Sequence, residues 1–587
     1  MKWGEGTEHE PDTSGECARR LAELSALWER PRHHVVLAIA LVVLARQAGD
    51  GIARVGTGPG GTRRDRMAFA AELPLREAVR TVGDLVGDAT AVLVTTPGCG
   101  SALPEEVRLE IADRADGTFA IRGDCTERQT ARLITALRHG YEPSALVSEV
   151  PLHAPADETD LAVWERNLAP VPASTLDGLF SRVARTAPGR DAVVADGERL
   201  TYAEAHARAG LLASLLLGHD LQLGEPVVVL SDHPLRAVVG QLAVLMAGGV
   251  CVPVGRLPAD RVRRTAGACQ ARHAVVDRPS APLWGAHCRT VTLEEAERRA
   301  RAVRPDPSLP RSGFTDLAYL LGGPPGGDPC RARLSAHEAW VSAATSRIHR
   351  VGRPAREVVV HAAPWEQTYV SAMWWAFLSG GTLRPHDPAD RGFRRLARGT
   401  ETDLLLSPGR YRRMLDASDT VPGPGPRSVV LTGGPCPPEL AKLHFTRVPA
   451  ARLLTEFGAD GGPLPWTVRE IGPDDCGHGL PPQVGRPSPN VRVRVLDAAG
   501  HALPYGLPGE LCAEGSALPC GGAARDGAAS GNGPLLRSGR RGMLRADGSV
   551  ELADLPADAP VRGTSGGAAP APEPPGAAFL PACGTGV

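Results

Sequence analysis

The spacing of apolar residues changes character along the chain, and each change predicts a different kind of structure. From Cys17 to Ala48 the apolar positions follow a helical period, with Gly49-Asp50-Gly51 as the stop. Val35 to Ala45, the longest apolar run, is about half the length needed to cross a bilayer, so it predicts a buried helix. The Gly/Pro/Arg-rich stretch from Gly56 to Arg66 reads as a loop. Alternation in Val92-Leu93-Val94 and at Val107, Leu109 and Ile111 predicts strands, and Thr126 to Leu137 predicts a helix with Asp124 or Thr126 near its cap. Pro151 to Ser174, rich in proline, alanine and acids, reads as a linker.

Beyond it, strand and helix patterns alternate. Ala192 to Val194 predicts a strand, Tyr202 to Leu217 a helix, Pro226 to Leu230 a strand, Leu235 to Ala247 a helix and Val250 to Val254 a strand. That rhythm predicts a parallel α/β sheet, and it continues through Val358–Val360 and Val429–Leu431. Near Val491 it gives way to β patterning, at Val491, Val493 and Val495 and in Gly509–Cys512. Gly521 to Pro534 and Ala557 to Val587 hold too few large apolar residues to pack and read as disordered.

A chain of 587 residues, 42% hydrophobic, has room for roughly three or four domains. Its net charge of −1 supplies no global field for nucleic acid or an anionic membrane. Lys2 and Lys442 are the only lysines, so the basic residues are almost all arginine, and a planar guanidinium does not replace a compact ammonium in a crowded phosphate site. The twelve cysteines show no C-x-x-C and no zinc-ligand spacing, which reads as small buried hydrophobes in a reducing compartment. With a polar, acidic start from Met1 to Pro11 in place of a secretory signal, a cytoplasmic protein is expected.

The candidate chemistry centres on the stretch between Leu317-Ala318-Tyr319-Leu320-Leu321 and Leu334-Ser335-Ala336-His337. These flanks frame a phosphate-gripping loop, which needs converging backbone N–H groups, hydroxyls and a lysine. The interior holds Gly322, Gly323, Gly326 and Gly327, but also Pro324, Pro325 and Pro329, which donate no N–H, and Asp328, which repels phosphate. No Ser or Thr stands between Leu321 and Leu334.

Further motifs follow in order. They are Leu200-Thr201-Tyr202-Ala203-Glu204, Leu245 through Pro253, Thr432-Gly433-Gly434 with Pro437-Pro438-Glu439-Leu440, Thr455 through Gly461, Val484-Gly485-Arg486-Pro487, Val495-Leu496-Asp497, and Gly506 through Leu511. On these residues Ser174 to about Asp554 resembles the adenylation domains of nonribosomal peptide synthetases, of the acyl-adenylate-forming superfamily. Before it, Val55-Gly56-Thr57, Ile121 through Leu137 and the join Trp164-Glu165-Arg166-Asn167 resemble the C-terminal half of a condensation domain. His33-His34 lacks the Asp-Gly of the condensation motif, since Ala38-Ile39 stand there, and reads as a helix-start pair.

The resemblance implies an α/β fold: two α/β subdomains and a distorted β-barrel, preceded by a partial chloramphenicol-acetyltransferase-like lobe. The expected organisation is a disordered start at 1–16, the condensation-like lobe at 17–150, a linker at 151–173, the α/β core at 174–480, the barrel portion at 481–556 and a disordered tail at 557–587. It also implies a chemistry, the joining of a carboxylate to the α-phosphate of Mg-ATP with release of pyrophosphate. Each grip that this chemistry needs is altered. The ribose carboxylate falls on Arg540, in Ser538-Gly539-Arg540, and a guanidinium accepts no hydrogen bond from a diol. The magnesium glutamate falls on Gly461, with Asp460 or Glu456 as substitutes to be weighed.

The aspartate that would receive a substrate ammonium falls on Gln367, or on Glu366 one residue away. Thr432, Gly433, Gly434, Phe457 and Gly458 keep the adenine side, and Gln367, Thr368, Ser371 and Trp374 would line the substrate pocket. Gln367 and His337 are the vestiges of the catalytic set, and no metal site is expected. Only 33 residues follow Asp554, none of them lysine and none in a carrier-type serine motif. The expectation is therefore a pseudoenzyme of secondary-metabolite biosynthesis with no cofactor, a scaffold or docking component of a peptide synthetase. Its partners would be synthetase modules, carrier proteins or an MbtH-like protein. The alternatives are a divergent enzyme that uses Mg-ATP and is completed in trans, a small-molecule or carrier-binding module, and a decaying reading frame.

Overall fold

Local chemistry decides where the elements begin. The computed structural model describes residues 16–47, 52–57, 63–87, 91–95, 106–113, 119–123, 127–142, 144–255, 259–277, 288–299, 311–322, 333–386, 401–416, 425–458, 462–463, 465–476, 483–497, 500–515, 518 and 535–553. Thr201 opens the helix Tyr202–Gly218 through a capping box: its hydroxyl accepts from the Glu204 N–H, and the Glu204 carboxylate accepts from the Thr201 N–H. The predicted strand Pro226–Leu230 and strand Val250–Val254 are observed with those bounds, and the helix between them is Pro234–Met246. The described residues divide into two compact units.

The first unit combines the chain up to Arg166 with Val493–Cys512 and the stretch from Arg537. The helical run predicted from Cys17 to Ala48 is two helices, Glu16–Leu27 and Arg32–Gln47, separated at Pro31. Every residue from Val35 to Ala45 is buried, as the apolar run predicts. Gly56 to Arg66, expected to be a loop, instead contributes to a hairpin. Strand Ile52–Thr57 pairs antiparallel with strand Arg63–Ala68, Val55 opposite Asp65. The alternate residues Ala53 and Val55, and Met67 and Phe69, are buried, and this period of two outweighs the loop-like composition. The hairpin belongs to an antiparallel sheet with strands Ala91–Thr95, Glu106–Asp113 and Phe119–Gly123.

The stretch from 151 to 173, expected to be a linker, contains the helix Pro155–Trp164. Asp157 holds it in place: the carboxylate is fully buried, accepts two bonds from Arg132 at 2.9 Å, and accepts from the Ala154 N–H at 2.8 Å. In the same unit Arg46, at the end of its apolar helix, donates to Asp497 at 2.7 and 3.1 Å and to the carbonyls of Val147, Ser148 and Val150. Full hydrogen bonding is what makes a buried guanidinium tolerable.

The second unit, Asn167–Arg492 with Ala513–Leu536, holds two α/β sheets. One runs in the order Arg289–Thr292, His273–Val276, Pro226–Leu230, Val250–Val254, Leu317–Leu321, Arg333–Ala336, parallel except for its last pair. The other places strands Arg452–Phe457, Ser428–Thr432, Thr402–Leu406, Glu357–Val360, Thr382–Pro385 and Asp191–Ala195 side by side and parallel. Trp340, Trp374, Trp375, Tyr319, Tyr369 and Phe377 fill the core of this unit. Gly485 has φ +91°, and a Cβ there would stand 2.1 Å from the Val468 carbonyl oxygen, so the strand Gln483–Pro487 needs glycine at this point. Among the described residues no helix is long and apolar enough to cross a membrane. The stretches expected to be disordered, 1–16 except its last residue, 521–534 and 557–587, lie outside the described residues.

Candidate functional site

The adenine-side residues come together at the carboxyl ends of two neighbouring parallel strands, where α/β sheets hold ligands. Thr432 ends the strand Ser428–Thr432; it is 1% exposed and its hydroxyl has no partner among the described residues. Gly433 follows with φ +82°, and a Cβ placed on it meets nothing within 4 Å. The Gly434 carbonyl accepts from Thr455 Oγ1 at 3.4 Å, which ties this turn to the strand Arg452–Phe457. Phe457 closes that strand and packs edge-on against Trp466, ring centroids 6.3 Å apart. Open space over a glycine pair, an unpartnered buried hydroxyl and an aromatic ring fit a flat heterocycle.

The acyl-side residues lie on the helix Gln367–Leu378, and their charges are already committed. Gln367 donates its amide to the Gly462 carbonyl. Glu366, the other candidate for the ammonium, accepts a bidentate pair from Arg410 at 3.0 Å and the Ala363 N–H at 2.9 Å. Arg410 also donates to the His361 carbonyl at 2.6 Å. Thr368 is half-buried and Ser371 is buried. Trp374 turns into the core: its indole N–H donates to the Tyr319 hydroxyl at 3.0 Å, which donates to Gln241 at 3.1 Å.

Glu456, weighed as a metal ligand, is spent as well. It is 1% exposed, and both carboxylate oxygens receive Arg347 nitrogens at 2.7 Å. Sequence reasoning missed this pair, because Arg347 lies 109 positions upstream on the helix His337–Val351 and nothing in its local pattern sets it apart from a surface arginine. Asp460 and Gly461 lie outside the described residues, as do Gly323, Gly326 and Gly327; Gly322 is the last described residue before that loop. Among the described residues no group of three His, Cys, Asp or Glu side chains comes together to hold a metal.

His337 is fully buried, and its Nδ1 accepts from the Leu176 N–H at 3.2 Å, so it serves the start of the helix Leu176–Thr186. Burial pulls its pKa down to about 4, and burial raises that of Asp177, 3.9 Å away. Arg540 stands in the other unit on the strand Leu536–Leu544, after Gly539 with φ +66°, and its Nε has no partner among the described residues. His33 and His34 both direct Nε2 at the Gly87 carbonyl, at 3.4 and 2.7 Å, a structural use of the pair.

The family model described as AMP-binding enzyme matches residues 180–318 and 332–520, more than half of the chain. Phosphinothricin tripeptide synthetase PhsB of Streptomyces viridochromogenes is 28% identical over 407 residues, which are 65% of this chain and 33% of PhsB. The chain thus spans a third of that relative's length. Among solved structures, the nonribosomal peptide synthetase FmoA3 superposes with a TM-score of 0.73 at 17% identity, covering 91% of this chain and 66% of FmoA3. NpsA-ThdA of Klebsiella oxytoca, an artificially fused adenylation–PCP di-domain, gives a TM-score of 0.56 at 20% identity and covers 65% of this chain and 73% of the fusion. These likenesses establish the mixed α/β adenylation fold expected from the sequence. They give no support to the expectation that no cofactor is used, since the matching family is one of AMP-binding enzymes.

Proposed function

The chain belongs to the AMP-binding enzyme family, and from that premise we propose that it is a nonribosomal peptide synthetase adenylation-like protein, impaired in catalysis, that serves as a scaffold or docking component of a synthetase assembly. One observation carries the reading: at the start of the helix Gln367–Leu378 no carboxylate among the described residues is left for a substrate ammonium, because Gln367 is neutral and Glu366 is clasped by Arg410. A buried ammonium without a counter-charge is too costly to hold. Glu456 cannot serve a magnesium ion while Arg347 occupies both its oxygens.

The fit of Mg-ATP to this chain is therefore divided. Thr432, Gly433, Gly434 and Phe457 suit the base, whereas the phosphate, metal and ribose positions carry proline, Gly461 and Arg540 in place of donors and carboxylates. Residues 17–150 read best as a condensation-like lobe. What supports this is that FmoA3 covers 91% of the chain while the adenylation–PCP fusion covers 65%. That fusion also supports a carrier domain as partner; an MbtH-like helper rests on the resemblance alone. The test is ATP–pyrophosphate exchange across the proteinogenic amino acids. Exchange no higher than the no-protein control is expected, and clear amino-acid-dependent exchange overturns the proposal.

The open face at Gly433 favours a second reading, a divergent amino-acid-adenylating enzyme completed by a separate protein. It requires saturable Mg-ATP binding by the chain alone, so absence of binding at millimolar nucleotide excludes it.

A further inference from the structure

A relay of side-chain hydrogen bonds runs through the core of the second unit and reaches both flanks of the candidate site. Gln241, on the helix Pro234–Met246, is fully buried, as are Tyr319 and Trp374. The Trp374 indole N–H donates to the Tyr319 hydroxyl at 3.0 Å, and that hydroxyl donates to Gln241 Oε1 at 3.1 Å. Gln241 Nε2 then donates to the Pro364 carbonyl at 3.2 Å. Tyr319 stands in the strand Leu317–Leu321, which leads to the Gly/Pro-rich stretch from Gly322. Pro364 lies two residues before Glu366, where the helix Gln367–Leu378 begins. One side chain, that of Gln241, therefore bonds to both flanks.

The relay has only one possible direction. An indole N–H only donates and a carbonyl only accepts, so the tyrosine proton must point to Gln241 and the glutamine amide nitrogen must face Pro364. Turning any one group around sets two donors or two acceptors face to face, where burial makes an unmade bond costly. Apolar surfaces tolerate a small slip of one over another, whereas a bond of about 3 Å weakens steeply once its angle is lost. Stability alone does not account for such an arrangement, since apolar groups of the same shape in place of both partners can be nearly neutral. A fully satisfied buried network instead rigidifies the core and selects one packing.

We propose that Gln241 is a positioning residue that couples the strand Leu317–Leu321 to the turn at Pro364 and the helix Gln367–Leu378, so that the two flanks of the candidate site shift as one body. Tyr319 and Trp374 carry the coupling from the strand to the far end of that helix. Anything that displaces the helix then displaces the strand, and the reverse holds, because a coupling between two places acts equally in both directions. The inference requires neither adenylation nor its loss, and pyrophosphate exchange does not enter its test.

The test is native-state hydrogen exchange of the full chain in urea below its unfolding transition, which resolves the units that open together. In the native chain the amides of the strand Leu317–Leu321 and of the helix Gln367–Leu378 are expected to share one opening. In Gln241→Leu the urea midpoint falls, and the exchange rates of the two segments separate by about tenfold or more. The apolar variant Q241L/Y319F/W374F removes the partners together; its midpoint recovers towards the native value, yet the two segments stay separate. A side chain that only stabilised the core would restore both readouts at once. Two separate openings in the native chain, or one shared opening in the apolar variant, overturns the proposal.

Discussion

The two faces of the second unit's site have kept different things. At the strand ends, Thr432, Gly433, Gly434 and Phe457 preserve shape: an open glycine turn beside an aromatic ring. At the helix Gln367–Leu378 the shape also stands, but Glu366 has been taken by Arg410 and Glu456 by Arg347. Backbone geometry and packing preserve the first face, because Gly433 has φ +82°, where a side chain is strained, and a lost Phe457 ring is felt by Trp466. Charge on the second face can be reassigned without disturbing the fold, provided that each buried carboxylate finds an arginine. On the proposed reading, fold and activity are separable in this chain.

Mutations that attack the charged face should break this contrast most visibly. Arg347→Ala leaves Glu456 buried and unpaired and is expected to destabilise the second unit by about 3–5 kcal/mol, whereas R347M/E456L stays within about 1 kcal/mol of the native chain. Urea midpoints of the two variants separate the outcomes. Next comes His337, whose pKa of about 4 in the folded state lies below its unfolded value of about 6.5. The unfolded chain takes up the proton first as pH falls, so His337 contributes a loss of stability that begins below pH 6.5, is complete near pH 4 and reaches roughly 3 kcal/mol. His337→Asn should flatten that part of the stability–pH curve; an unchanged slope would show that other groups account for it.

Glu366→Gln weakens the Arg410 clasp and is expected to cost about 2 kcal/mol, read by the same urea titration. The smallest effect expected is about 1 kcal/mol for Thr201→Ala, which removes the capping box from the helix Tyr202–Gly218.

How much of this was legible depends on the range of the interaction. The strands Pro226–Leu230 and Val250–Val254 and the helix after Thr201 follow from local period and cap chemistry, and they were readable to within a residue or two. The hairpin through Arg63–Ala68 was hidden because its composition is that of a loop while its burial alternates. The helix Pro155–Trp164 was hidden because what fixes it is the Arg132–Asp157 bond, 25 positions apart. The candidate site residues were proposed from motif order. What they are bonded to was not, since Arg347 with Glu456 and Arg410 with Glu366 are long-range partners with no local signature.

The most direct measurement is calorimetric titration of the purified chain with adenosine and with Mg-ATP side by side. If the base side is retained and the phosphate and metal side is not, the triphosphate adds nothing, and Mg-ATP binds no tighter than adenosine. Mg-ATP binding more than about tenfold tighter than adenosine, a gain of about 1.4 kcal/mol, would contradict the account.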